Sequence, residues 1–485
     1  MTRNGLLFPA TVVSASPNFQ GGPHMLRRNA WSFLCLFLLP VIYLGLLGEF
    51  AIGQGSVIPP SLVVLAPCML LFAVFAAAHP SRLRQFPLLV PTAWYLLAAC
   101  LSGWHGVSHL HWIRGLVELG LALCFLMFPY FFLRTRRQLE LCLQTLVLLA
   151  AGTVVFAVLQ ALLFARFRGV LLHLYHREDL WWIVGWGWRG RLAGNWVHPS
   201  YLGSVLNVAA PFALLHYLRA ESRVRRALSL AAYIILAAGI ALTATRTPAL
   251  ALLAASLAFV LLIRTPRRAW IALAAAFTVA FGLSIFHFRF APPDVGSRAA
   301  LPRSLALAER LEFGRVKSKS TLRMRWTTQA EALTLFRTSP VFGIGIRNYP
   351  DRARDDPMAE FSIHNSLVQN LTELGLFGLE AFLVLIACSL RTDFRPELSR
   401  FPELRPLRAA LFCSSLAILL ESLAENSLSV WQVLALFWLI RGISLMVAQH
   451  PAMFLNRGFR AGRTEQAACC GSGDNLFDSL PVAAG

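Results

Sequence analysis

The sequence predicts an all-α membrane protein: a polytopic bundle of about twelve transmembrane helices with one large outer loop that contains short helices. Three observations carry this reading. Hydrophobic residues make up 57% of the 485 and charged residues only 14%, against about a quarter charged in a soluble chain; the mean hydropathy is +0.60. Apolar runs of about 17–25 residues recur, the length that crosses a hydrocarbon core. Arginines collect in every second connection between those runs, which is how a chain marks its cytoplasmic loops.

Taken in order, residues 1–30 are polar and end on Arg27 and Arg28, so they form a cytoplasmic N-terminal segment. The first apolar run lacks a small-residue cleavage site and reads as an uncleaved span. Spans fall near 31–48, 57–78, 87–103, 113–133, 140–164, 200–218, 227–244, 248–263, 268–288, 366–390, 406–423 and 428–447. Nine helices thus occupy 31–288, with an outer loop at 165–199; the large loop covers 289–365, and three helices fill 366–447. Residues 448–485 form a cytoplasmic tail, small and polar enough to be disordered. The cytoplasmic loops carry Arg82 and Arg84, Arg134 to Arg137, Arg219 to Arg226, Arg264 to Arg268, and Arg391 to Arg405. Two outer loops break the pattern. The large one holds thirteen basic and eight acidic residues but is long enough to escape the charge rule. The loop at 165–199 is short, so Arg189 and Arg191 need another reason to lie outside.

The net charge of +20 does not point to nucleic acid, because most arginines sit in topology-setting loops that also meet anionic headgroups. The nine cysteines lie mostly in apolar runs and show neither a disulfide framework nor metal-ligand spacing. No Asp-x-Asp motif or phosphate-binding glycine loop is present. The run WWIVGWGW at 181–188 reads as an interfacial aromatic belt, with a platform for sugar rings or lipid as its alternative.

The residues that could carry chemistry converge on the outer face. His364 opens HNSLVQNLTELGLFG, where the large loop meets a membrane helix. The positive end of a helix dipole there favours the uncharged imidazole, a free base; an interfacial histidine satisfied by water is the plainer reading. Arg246, in TATRTP, sits between two apolar runs with almost no loop, a costly position unless it meets an anion, a water-filled cavity or headgroups it can snorkel to. Arg191, Arg347 and the run RVKSKSTLRMRW, which holds Arg323, add further guanidinium groups. Guanidinium binds phosphate oxygens in a bidentate way and keeps its charge, which suits a diphosphate. Gly375 and Gly378, about three turns beyond His364, would admit close helix packing beneath it.

The C-terminal two-thirds resembles the O-antigen ligase and polymerase family of bacterial glycan-assembly membrane proteins. The resemblance rests on Arg191-x-x-Gly194 leading to Pro199, and on Arg246 between consecutive spans. It continues through Trp326, Pro340 and Gly343-Ile344-Gly345 to His364-Asn365 followed by Gly375-x-x-Gly378. The family usually has Ser-Arg-Gly where this chain has Thr245-Arg246-Thr247, and often Asn-Pro-Asn at His198-Pro199-Ser200; the arginine is kept. The resemblance implies a large periplasmic loop in an inner-membrane protein and transfer of a glycan from undecaprenyl diphosphate to an acceptor hydroxyl, without metal or nucleotide cofactor. The acceptor is the lipid A core in the ligase branch and a second lipid-linked repeat in the polymerase branch, and no feature of the sequence separates the two. His364 would be the general base, with Arg191 and Arg246 stabilising the leaving diphosphate and Arg347, Arg323 and Asn365 holding substrate. An anion transporter is the competing class, but its signs are inverted repeats and broken midplane helices. A scaffold would leave Arg246 and His364 without a reason.

Overall fold

The computed structural model describes residues 76–175, 198–263, 267–290, 325–353 and 363–455, with isolated positions at 72, 74 and 192. All regular structure among them is helical. In chain order the helices used below are α1 Leu89–Ser102, α2 His109–Phe132, α3 Arg136–Tyr175, α4 Pro199–Arg219, α5 Arg223–Leu242, α6 Arg246–Ile263 and α7 Arg267–Phe290. They continue with α8, residues 325–338, then α9 Ser366–Arg391, α10 Arg405–Ser422 and α11 Trp431–Gln449. Their starts follow from local chemistry. The side chains of Ser108, His198, Ser222 and Asn365 accept backbone N–H groups of the first turns of α2, α4, α5 and α9. Pro199 occupies the first position of α4, where a missing N–H costs nothing.

Seven helices among the described residues are long and apolar enough to cross a membrane: α2, the Arg136–Leu159 part of α3, α4, α5, α6, α9 and α11. They coincide with expected spans at 113–133, 140–164, 200–218, 227–244, 248–263, 366–390 and 428–447. Three further expected spans are helices that fall short by this measure. At 14 residues, α1 rises only about 21 Å against a hydrocarbon core of about 30 Å. In α7 the apolar stretch is Ala269–Leu283. In α10, Ser414, Ser415, Glu421 and Ser422 interrupt the apolar sequence. The run at 31–48 and most of that at 57–78 lie outside the described residues, as does the tryptophan cluster. Helix α3 continues to Tyr175, beyond the expected end at 164.

The most enclosed helices are α4 and α11, the second buried along its whole apolar window. Trp431 and Trp438 of α11 are buried, and a Cβ on Gly442 would collide with the Leu126 carbonyl, so this glycine lets α11 lie against α2. By contrast α3, α5 and α6 leave Leu148, Val155, Leu228, Leu250 and Leu261 exposed, an apolar surface suited to lipid. The arginine-rich turns gather at one end of the bundle. Tyr130 donates to the Gln85 carbonyl at 3.2 Å, Arg219 to Glu403 at 3.2 Å, and Arg405 to Leu262 at 2.8 Å. The opposite end collects the starts of α4, α6, α9 and α11 with the ends of α5 and α10.

One expectation is corrected here. Gly375 does not offer a smooth face for helix packing; it breaks α9, with φ 69° and ψ −170°. A Cβ there would collide with the backbone of Val341 and Gly343, so glycine is required both for the positive φ and for the close approach. The loop 340–345 is laid into the break. Ile344 N donates to Thr372 O and Gly345 N to Glu373 O, each at 3.0 Å, while Leu376 N donates to Pro340 O at 2.9 Å and Phe377 N to Val341 O at 3.1 Å. Two carbonyls and two N–H groups at the break thereby find protein partners in this loop.

Candidate active site

His364 stands two residues before α9, and its position is fixed by its neighbour. Asn365 caps α9, its side-chain oxygen accepting from Leu367 N at 2.9 Å and Val368 N at 3.1 Å. The amide nitrogen of the same residue donates to Leu423 O at 3.0 Å. Ser366 adds a bond to the Glu425 carbonyl at 3.4 Å and accepts from Leu428 N at 3.2 Å. The start of α9 is thus stitched to the α10–α11 connection, residues 423–430. Both ends of the Asn365 amide are thus engaged, the oxygen in the cap of α9 and the nitrogen in the stitching.

The stitching brings His364 Nδ1 to 3.1 Å from Glu425 Oε2. On the other carboxylate oxygen, Arg325 Nη2 donates at 2.5 Å, and Arg325 Nη1 reaches Ala424 O at 2.9 Å. Glu425 lies outside the membrane-crossing helices and its side chain is 6% exposed; that of His364 is 14% exposed. Burial pushes the Glu425 carboxyl up, but the His364 hydrogen bond and the Arg325 charge outweigh it and hold the carboxyl below its ordinary value. An ionised carboxylate only accepts, so His364 Nδ1 carries the proton toward it, which in the neutral form of the ring places the lone pair on Nε2. Among the described residues Nε2 makes no hydrogen bond. The arrangement is an imidazole oriented by a carboxylate, the geometry by which a buried acid holds a histidine ring in one tautomer.

Arg246 is the first residue of α6, at the same end. The α5–α6 turn before it is tight: Ala244 takes φ 51°, Thr243 Oγ1 donates to Ile240 O at 2.6 Å, and Thr245 N reaches Thr243 Oγ1 at 3.3 Å. The Arg246 side chain is exposed and, among the described residues, has no hydrogen bond or ion pair. Leu192, the residue after Arg191, donates its N–H to Leu242 O at 2.9 Å, which pins that part of the chain to the same turn. Arg191 and Arg323 themselves lie outside the described residues.

Arg347 takes a different place. With φ 61° it follows the Gly343–Gly345 loop and pairs with Glu118, which also accepts from Arg114 at 3.0 Å. It lines a cavity with Glu118, Gln369, Asn370, Glu373 and Ser429, beside the α10–α11 connection. Sequence reasoning missed Glu425 and Arg325 as partners of His364. A signal was present: Glu421 and Glu425 are four residues apart at the end of an apolar run, where carboxylates are rare without a task.

These features define a multi-pass membrane protein with a histidine–carboxylate–arginine cluster and an uncommitted arginine gathered at one end. Residues 231–383 match the family model described as O-antigen ligase. The chain therefore carries an O-antigen ligase family domain, the family that its sequence resembles. The match takes in Arg246, Arg325, Arg347, His364 and Asn365 and ends before Glu421 and Glu425. Among curated proteins none matches the chain. The family points to a membrane glycosyltransferase-like ligase or polymerase and implies lipid-linked glycan substrates in the membrane.

Proposed function

We propose that this protein transfers a glycan from undecaprenyl diphosphate to an acceptor sugar hydroxyl, that of the lipid A core, at the periplasmic face of the inner membrane. The observation that carries the proposal is the His364–Glu425 hydrogen bond, which leaves Nε2 as a base held in one orientation. As the acceptor oxygen attacks the anomeric carbon, its proton passes to Nε2, and the bond from that carbon to the diphosphate oxygen breaks. The electron pair leaves with the diphosphate. A single displacement of this kind inverts the anomeric centre. Arg246, with Arg191, neutralises the charge that develops on the leaving oxygen, the part a metal ion takes elsewhere. Arg323 holds substrate in this reading, and Arg347, already paired with Glu118, would contribute only from the neighbouring cavity. Asn365 supports the reaction by fixing His364.

A transporter would use a broken helix to leave backbone groups free for its ion. The break in α9 is closed by the 340–345 loop, which favours surface chemistry. The test uses purified protein, a lipid-linked donor and a lipid A core acceptor, with and without chelator. His364→Ala and His364→Gln should both lower transfer by about 10²–10⁴-fold, the range for loss of a general base, while donor binding is retained. Dependence on added divalent metal, or wild-type turnover by the Gln variant, would overturn the mechanism. A deletion strain separates the branches: loss of all polymer on lipid A means ligation, and a single attached repeat means polymerisation.

A further inference from the structure

Glu421 is fully buried in the last turn of α10, and the reaction above does not use it. One of its carboxyl oxygens accepts from Ser204 Oγ and the other from Asn207 Nδ2, both on α4. Each of these partners reaches further. Asn207 Nδ2 also donates to Pro248 O at 2.9 Å, in the first turn of α6, two residues after Arg246. Gly203 permits that approach, since a Cβ there would meet the Pro248 ring at 2.7 Å. Ser204 Oγ lies 3.2 Å from Ser427 Oγ in the α10–α11 connection. The backbone carbonyl of Glu421 accepts the N–H of Glu425 at 2.8 Å. A continuous hydrogen-bonded strut therefore runs from the Arg246 turn, through α4, to the turn that carries Glu425.

We propose that Glu421, with Ser204 and Asn207, is a positioning residue that sets the spacing between Arg246 and the His364–Glu425 pair. It does so through hydrogen-bond geometry and length, not charge. Among the described residues no cationic side chain pairs with Glu421, so no ion pair rewards a charge at that depth. Transfer by single displacement requires base and leaving-group clamp on opposite sides of one carbon, and an error of about 1 Å in such an arrangement costs about 10²-fold. The inference rests on the glycan-transfer reading.

The experiment compares Glu421→Gln, which keeps the length and loses the charge, with Glu421→Asp, which keeps the charge and is one methylene short. On purified protein, Gln should stay within about threefold of wild type. Asp should lower kcat by roughly 10²-fold with the donor KM and the thermal midpoint little changed. Ser204→Ala should lower kcat by about tenfold, the upper range for one hydrogen bond, and its effect should not add to that of Glu421→Asp. Wild-type kcat in the Asp variant would overturn the proposal, as would a Gln variant as impaired as Asp. If the Asp variant fails to fold, Ser204→Ala decides: unchanged kcat sinks the strut. Wild-type protein that transfers no glycan would reject the glycan-transfer reading itself; transfer that needs His364 but tolerates Glu421→Asp would reject only the strut.

Discussion

Arg325–Glu425 and Arg441–Asp393 are both arginine–carboxylate pairs, at opposite ends of α9. In the second, Arg441 Nη1 donates to Asp393 Oδ2 at 2.7 Å and reaches Ser415 Oγ at 3.3 Å. Its Nη2 bonds Ser389 O and lies 3.3 Å from Thr392 Oγ1, while Ser444 donates to the other Asp393 oxygen. The Arg441 and Asp393 side chains are 0% and 2% exposed. At the first pair Arg325 is 26% exposed, and the carboxylate is shared with a histidine whose second ring nitrogen is uncommitted. The same two charged groups, a guanidinium and a carboxylate, therefore sit in different surroundings. A sealed pair joins α9, α10 and α11; an open one orients the imidazole that the proposed reaction uses as its base. Burial separates the two pairs: Arg441 is 0% exposed and Arg325 26%.

That contrast can be broken most severely at Glu425. Glu425→Gln should reduce transfer by about 10²–10⁴-fold with insertion and folding intact, the range for loss of a general base or of the carboxylate that orients it. The joint replacement Arg325→Met with Glu425→Gln should not restore transfer in the same assay. Recovery would make the open pair as structural as the sealed one.

Arg441→Met should destabilise the protein by about 3–5 kcal/mol, because it strands a buried charge. The double variant Arg441→Met with Asp393→Leu should recover both the thermal midpoint in detergent and the transfer activity. A double variant that is stable but inactive would show that the sealed pair has a role in the reaction.

Arg246→Ala should lower kcat by about 10²–10³-fold, the usual cost of removing one donor to a developing oxyanion. Arg246→Lys should rescue only in part, for want of the bidentate fork. Membrane insertion, followed by protease accessibility, should not change. Full activity in the Ala variant would remove the clamp.

The smallest effect is in the pH dependence of stability. The folded Glu425 carboxyl is held below its ordinary value by His364 and Arg325, which overcome burial. It therefore contributes stability that is present above the unfolded value and lost as pH falls through the folded one. Thermal midpoints of wild type and Glu425→Gln should converge as the medium is acidified below the ordinary glutamate range. In an Arg325→Met background the convergence should begin at higher pH. Parallel curves at all pH values would mean that the pair contributes nothing to the folded state.

The apolar runs and the arginine alternation were sufficient to place α2 to α6, α9 and α11, because hydrophobic length and short-loop charge are local properties that a bilayer reads directly. His364 and Arg246 were legible because each is out of place in its own neighbourhood, whereas Gly343 was marked only by the family motif. The partners of those residues were not. Glu425 is 61 positions from His364 and 100 from Arg325, and no local period links them; helix packing alone decides that they meet. The same holds for Arg441, which sequence reasoning left inside an apolar span without comment, and for Gly375, whose break makes sense only once residues 340–345 fill it. Local pattern determined which segments cross and which residues were candidates. Tertiary packing decided which charges are sealed and which remain open, because the cost of a charge depends on who surrounds it and not on where it lies in the chain.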